Sequence, residues 1–169
     1  MRIGVPAETR AGETRVAATP ETVKKLAAKN EVRIQAGAGL QSSYPDVDYE
    51  KAGAQIVASA AEAFDADIVL KVRSPSTDEL SRLKANSTLI GLLEPFNAAG
   101  LEALARTGVN GFAMESLPRI SRAQSMDVLS SQANIAGYKA VVMAAAEFGK
   151  FFPMLMTAAG TVKAARVLV

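Results

Sequence analysis

The residues of this chain best suited to chemistry lie close together in PRISRAQSMDVLS, between Pro118 and Ser130. Pro118 fixes the entry of the segment. Arg119 offers a planar fork of N–H donors, Gln124 both donates and accepts, Asp127 accepts, and Ser130 adds a hydroxyl about one helical turn beyond the aspartate. Arg122 stands in the same stretch. Such a set suits a polar ligand with hydroxyls and an amide, of the nicotinamide riboside kind. It equally makes a self-contained capping network, with Asp127 closing the first turn of a helix and Arg119 pairing with it. Chemistry alone leaves both readings open.

Two further cations stand where α/β proteins hold ligands: Arg15 follows the first loop, and Lys71 ends a strand. Either suits a carboxylate or a phosphate. Gly37 and Gly39 follow another strand and invite a phosphate-loop reading, but Ser42 occupies the place of the third glycine in GxGxxG, so an ordinary tight turn is the stronger reading. The chain has no histidine and no cysteine. Without histidine, proton transfer near neutral pH would need a shifted Lys, Asp or Glu. Without cysteine there is neither a disulfide framework nor a thiolate metal site, which suits a reducing cytoplasm.

The elements that must position these residues follow a regular beat. Short apolar runs at 2–5, 32–35, 55–57, 68–72, 88–93 and 109–114 read as strands. Between them, Thr19-Pro20-Glu21, Asp46 or Asp48, Ser59, Ser74-Pro75-Ser76-Thr77 and Asn97 open helices, the fourth running to Leu83. Strands that are apolar on both sides and alternate with helices predict a parallel sheet covered on both faces, a doubly wound α/β domain over residues 1–125 of Rossmann or flavodoxin type. Strand order is not encoded in this pattern. A long connecting helix follows over 126–150, its alanines at 133, 136, 140 and 144 forming a smooth stripe for another helix or subunit. Residues 151–169 read as the start of a second, truncated nucleotide-binding domain: FFPMLMTAAG as a buried connection, then ARVLV as its first strand.

Composition excludes several classes. At 169 residues, 49% hydrophobic and 21% charged, the chain can bury a real core. A net charge of +2, with Lys and Arg spread along the chain, argues against nucleic acid as partner. No window approaches the ~20 apolar residues of a spanning helix, so any membrane link runs through another chain.

The segments RIGVPAETRAGETRVAATPETV, SLPRISRAQSMDVLSSQANIAGYKAV and FFPMLMTAAGTVKAARVLV resemble the NAD(H)-binding α or α1 component of proton-translocating NAD(P) transhydrogenases. The resemblance implies hydride transfer between NAD(H) and NADP(H), with Arg119, Gln124 and Asp127 reaching the nicotinamide and its ribose and Ser130 holding the carboxamide. It implies no catalytic acid or base and no metal. It also implies a homodimer, with partner components that bind NADP(H) and span the membrane, on the cytoplasmic face of a bacterial inner membrane. In that family the strand matching ARVLV leads into a glycine-rich pyrophosphate turn; this chain ends before it, so weak NAD(H) binding by the 169 residues alone is expected. The N-terminal pattern is also similar to alanine dehydrogenases, in which an Arg and a Lys placed like Arg15 and Lys71 bind pyruvate and a histidine handles the proton. Here LLEPFN stands at the expected place of that histidine. A third reading is a dimerisation module without activity of its own.

Overall fold

Apolar runs buried on both sides build the sheet. The computed structural model describes residues 1–168, and the chain divides into one compact unit over Met1–Met126 and another from Asp127 onward. In the first, strands β1 (Arg2–Val5), β2 (Glu31–Gln35), β3 (Gln55–Val57), β4 (Ile68–Arg73), β5 (Thr88–Leu92) and β6 (Asn110–Ala113) form a parallel sheet in the order β3-β2-β1-β4-β5-β6. The order reverses between β1 and β4, which pair through Ile3 with Ile68 and Gly4 with Val69. A crevice opens beyond the strand ends at such a reversal, and that is where ligands bind in open α/β sheets.

The helices start where the hydroxyl and amide caps predict. Helix α1 (Pro20–Ala27) is capped by Thr19, α3 (Ala60–Phe64) by Ser59 and α5 (Ala98–Arg106) by Asn97, whose side chain accepts from Gly100 N–H. Helix α2 (Asp46–Lys51) departs from expectation, because Pro45 occupies its cap without a side-chain bond. Asp46 instead turns back, and its carboxylate oxygens accept from Gly37 N–H at 2.9 and 3.1 Å. Helix α4 (Thr77–Leu80) stops short of Leu83, since Ser81 bonds back to the Asp78 carbonyl rather than extending the turn.

Two clusters fill the core. Ile3, Val5, Val23, Val32, Ile34 and Tyr49 make one, the Tyr49 hydroxyl donating to the Ala18 carbonyl at 2.9 Å. Phe64, Val69, Leu89, Leu93 and Leu104 make the other.

In the second unit, α6 (Val128–Glu147) buries none of its residues, the four alanines of the stripe included. Residues expected as a buried connection form instead an exposed antiparallel hairpin, β7 (Leu155–Thr157) with β8 (Gly160–Val162). Gly160, at φ 134°, closes its two-residue turn in backbone that side chains rarely adopt. The strand expected over ARVLV is not formed at 165–168, which are irregular and mostly exposed; Val169 lies outside the described residues. A parallel strand is held only by ladder bonds to neighbours, and here the Ala165 N–H donates to a loop carbonyl, Phe152 O, at 2.9 Å.

Close packing of α3 on the sheet rests on Gly4, where an added Cβ would lie 1.8 Å from the Ala63 carbonyl oxygen. Backbone must then move, so Gly4→Ala is expected to cost about 1–3 kcal/mol. Urea unfolding at constant m-value measures it.

Candidate functional site

At the reversal between β1 and β4, the chain places charge where apolar packing would be the default. Lys71, on β4, is only 3% exposed. Its ammonium donates to Glu79 Oε1 at 2.8 Å and lies 3.4 Å from Glu8 Oε2. Both acids are fixed by backbone in turn. Glu8 accepts from Val72 N–H at 2.7 Å and Arg73 N–H at 3.3 Å, and Glu79 accepts from Ser76 N–H at 2.8 Å in the capping box that starts α4. Burial of the ammonium is tolerable because it is paired on both sides.

Arg15 is held as firmly. Its guanidinium grips Glu13 at 2.7 Å through Nε and 2.6 Å through Nη2, a bidentate fork, and Arg73 Nε reaches the same carboxylate at 2.8 Å. The hydrogen bond from Arg15 chiefly holds the Glu13 carboxyl down at about 2, against the opposing pull of burial. Arg10 pairs with Glu94 at 2.6 Å and keeps that carboxyl below the usual carboxylate range. These groups border a cavity of about 290 Å³ lined by Glu8, Arg10, Arg73, Ser76, Glu94 and Asn97 among others.

The polar loop leaves the same end of the sheet. After β6 comes a tight turn over Met114–Ser116, then Pro118, and a second such turn over Ser121–Met126 anchored by buried Ala123. Arg119 and Gln124 are exposed and belong to the first unit. Asp127 and Ser130 belong to the second, and there the structure brings them together. Asp127 caps α6, its Oδ1 accepting from Ser130 N–H at 2.9 Å and its Oδ2 from the Ser130 hydroxyl at 2.6 Å.

The capping reading of Asp127 is therefore realised. It leaves room for a ligand. A carboxylate has about four lone-pair sites, and a hydroxyl that donates to it keeps its own acceptor sites. Asp127 can thus still accept from a ribose hydroxyl, Ser130 from a carboxamide NH₂, and exposed Arg119 and Gln124 can donate, so by donor and acceptor type these residues fit a nicotinamide riboside. The glycine turn does not fit a phosphate: the Gly37 N–H is taken by Asp46, and a Cβ at Gly39 would meet the Tyr44 carbonyl at 2.6 Å.

The acids Glu8, Glu13, Glu79 and Glu94 join the site without having stood out in the sequence. For Glu79 a signal exists, the Ser76-x-x-Glu79 capping pattern. The others are brought in by topology. Among the described residues no group of His, Cys, Asp or Glu is arranged to hold a metal ion.

The model of the alanine dehydrogenase/PNT N-terminal domain family matches residues 4–136. The chain is 49% identical to the first polypeptide of the divided NAD(P) transhydrogenase subunit alpha of Rhodospirillum rubrum, aligning over 100% of its own length and 46% of the relative's. It is 38% identical to alanine dehydrogenase of Mycobacterium tuberculosis, over 81% of this chain and 37% of that protein. The crystal structure of transhydrogenase from Sinorhizobium meliloti superposes with a TM-score of 0.93 at 50% identity, covering 98% of this chain and 50% of that one. The chain thus spans about half the length of these relatives.

The ion pairs make two expectations measurable. Lys71→Ala strands two buried carboxylates and is expected to cost about 3–5 kcal/mol, read from chemical denaturation. Glu13 titrates at about 2 when folded, against an ordinary value of 4.5. A lowered folded pKa gives stability that is present above the unfolded value and lost as pH falls through the folded one. Wild type should exceed Glu13→Gln by about 2 kcal/mol near neutral pH, allowing for screening at the partly exposed arginines. That margin should disappear as pH drops from 4.5 to about 2, as measured by urea midpoints.

Proposed function

The chain belongs to the alanine dehydrogenase/PNT N-terminal domain family, and from that premise we propose that it is the N-terminal part of an NAD(P) transhydrogenase α subunit. In this reading the complex exchanges hydride between NAD(H), held by this component, and NADP(H), held by a partner component. The nicotinamide rings supply the hydride chemistry. Arg119 and Gln124 orient the NAD(H) nicotinamide end, Asp127 accepts from its ribose, and Ser130 accepts from its carboxamide. Residues 1–125 form one domain, 126–150 a connecting helix, and 151–169 the start of a nucleotide-binding domain that takes the pyrophosphate and adenosine. Engagement of the glycine turn by Asp46 supports assigning the pyrophosphate elsewhere.

The observation that carries the reading is the state of the cations at the strand reversal. A 2-oxo acid reductase needs an available cation for the carboxylate and a group to move a proton with the hydride. Here Lys71 sits between Glu8 and Glu79, and Arg15 is clamped by Glu13. The acid in LLEPFN, Glu94, is paired with Arg10 and held in its charged form, a poor proton shuttle near neutral pH. Hydride exchange between two nicotinamides moves no such proton and needs only alignment and exclusion of water.

Helix α6 supports a homodimer. It exposes Ile135, Val141 and Met143 by more than half, and apolar side chains all round a helix call for a covering partner. No helix among the described residues is long and apolar enough to cross a membrane. Proton translocation accordingly falls to membrane-spanning partners, with this component peripheral on the cytoplasmic face of a bacterial inner membrane.

Asp127→Asn separates the ligand role from the cap, because Asn caps helices as well as Asp does. In the full-length subunit combined with its NADP(H)-binding component, this variant is expected to keep its melting temperature. Hydride exchange should fall at least about tenfold, as expected when a positioning contact is lost. Alanine should not be oxidised by either protein, and oxidation at a useful rate would reverse the assignment in favour of an alanine dehydrogenase.

A further inference from the structure

Glu94 adopts φ 55°, in the left-handed region that residues with side chains seldom occupy. It also precedes Pro95, which favours extended backbone for the residue before it. Such a conformation persists only where its surroundings hold it. Three contacts do so here. The Glu94 carboxylate pairs with Arg10 at 2.6 Å, its carbonyl accepts from Asn97 N–H at 2.9 Å, and its N–H donates to Glu115 Oε1 at 2.7 Å.

The third contact reaches furthest. Glu115 lies in the tight turn Met114–Ser116, three residues before Pro118 and the loop bearing Arg119 and Gln124. Its second oxygen, Oε2, is buried and has no hydrogen-bond partner among the described residues. A carboxylate left half-satisfied away from water is costly, so its place is set by the one bond it does make. That bond ties the base of the arginine loop to the β5–α5 connection, and Arg10 extends the tie to the loop after β1.

We propose that Glu115 is a positioning residue for the Arg119 loop, fixing through the Glu94 N–H the direction in which Arg119 and Gln124 leave the sheet. This rests on the reading of those two residues as nicotinamide-facing. In the full-length subunit with its NADP(H)-binding component, Glu115→Ala is expected to lower kcat of hydride exchange about tenfold, as small misplacements of positioning groups do. KM for NADH should change by less than about twofold, since contacts away from the nicotinamide are untouched. Glu115→Gln keeps an acceptor for the Glu94 N–H and should recover most of kcat. Glu94→Gly combined with Glu115→Ala should recover part, because glycine holds φ 55° without the tie.

If Glu115→Ala does not fold, Glu115→Asp, one methylene too short, carries the same expectation. Unchanged kcat in a folded Ala or Asp variant overturns the proposal, and so does a Gln variant as slow as the Ala variant. Arg119→Ala is measured alongside. If it leaves kcat unchanged, the loop is not the site and both readings fall; if it lowers kcat where the Glu115 variants do not, the positioning role alone falls.

Discussion

The ammonium of Lys71, buried between two carboxylates, is the constraint on which the ligand end of the sheet depends. A buried charge survives only when its partners are fixed, and each partner here is fixed by backbone. Glu8 binds the N–H groups of Val72 and Arg73, and Glu79 binds the N–H of Ser76. One cation therefore joins the loop after β1, the end of β4 and the start of α4. Those are the pieces that would otherwise be free to fill the crevice at the β1/β4 reversal. Replacing the trio with apolar side chains would often be neutral for stability. Its effect is on shape, since it sets the crevice walls in one arrangement and leaves its charges mutually cancelled.

That cancellation governs what the crevice can do. Arg10, Arg15, Arg73 and Lys71 each face a carboxylate. An incoming anion would have to displace an internal partner, and the fork of Arg15 on Glu13 is the geometry hardest to displace. The arginine of the polar loop is different in setting, standing exposed on a segment held at its base by Glu115 and by buried Ala123. The chain thus separates cations that build from cations that can bind.

Much of this architecture is legible in the residues themselves. Strands buried on both faces and helices opened by Thr19, Ser59, Ser76 and Asn97 carry local signals, and each element appears where its signal lies. Strand order is not local, because neighbours in a parallel sheet are chosen by crossovers and not by their own composition. The acids around Lys71 and Arg15 are illegible for the same reason: each looks like a surface carboxylate until β1 and β4 are adjacent. Asp46 misleads because capping is the commonest use of an aspartate before a helix, whereas here a glycine N–H competes for it successfully. The hairpin at 155–162 is hidden by Pro153 and the methionines, which mask a two-residue turn at Ala158 and Ala159.

The two readings that the loop residues leave open, a ligand site and a helix cap, are physically connected. As the cap of α6, Asp127 sits at the positive end of the helix dipole, with Ser130 donating to one oxygen from its N–H and to the other from its hydroxyl. These bonds fix the plane of the carboxylate and the orientation of the hydroxyl without exhausting either group. A side chain so held loses little freedom when a ligand arrives, and avoiding that ordering cost is what preorganisation contributes to binding. In the proposed role, then, the cap is what makes Asp127 and Ser130 a rigid pair of acceptors. Hydride transfer between two rings, which depends on alignment and not on proton chemistry, is the reaction such rigidity serves best.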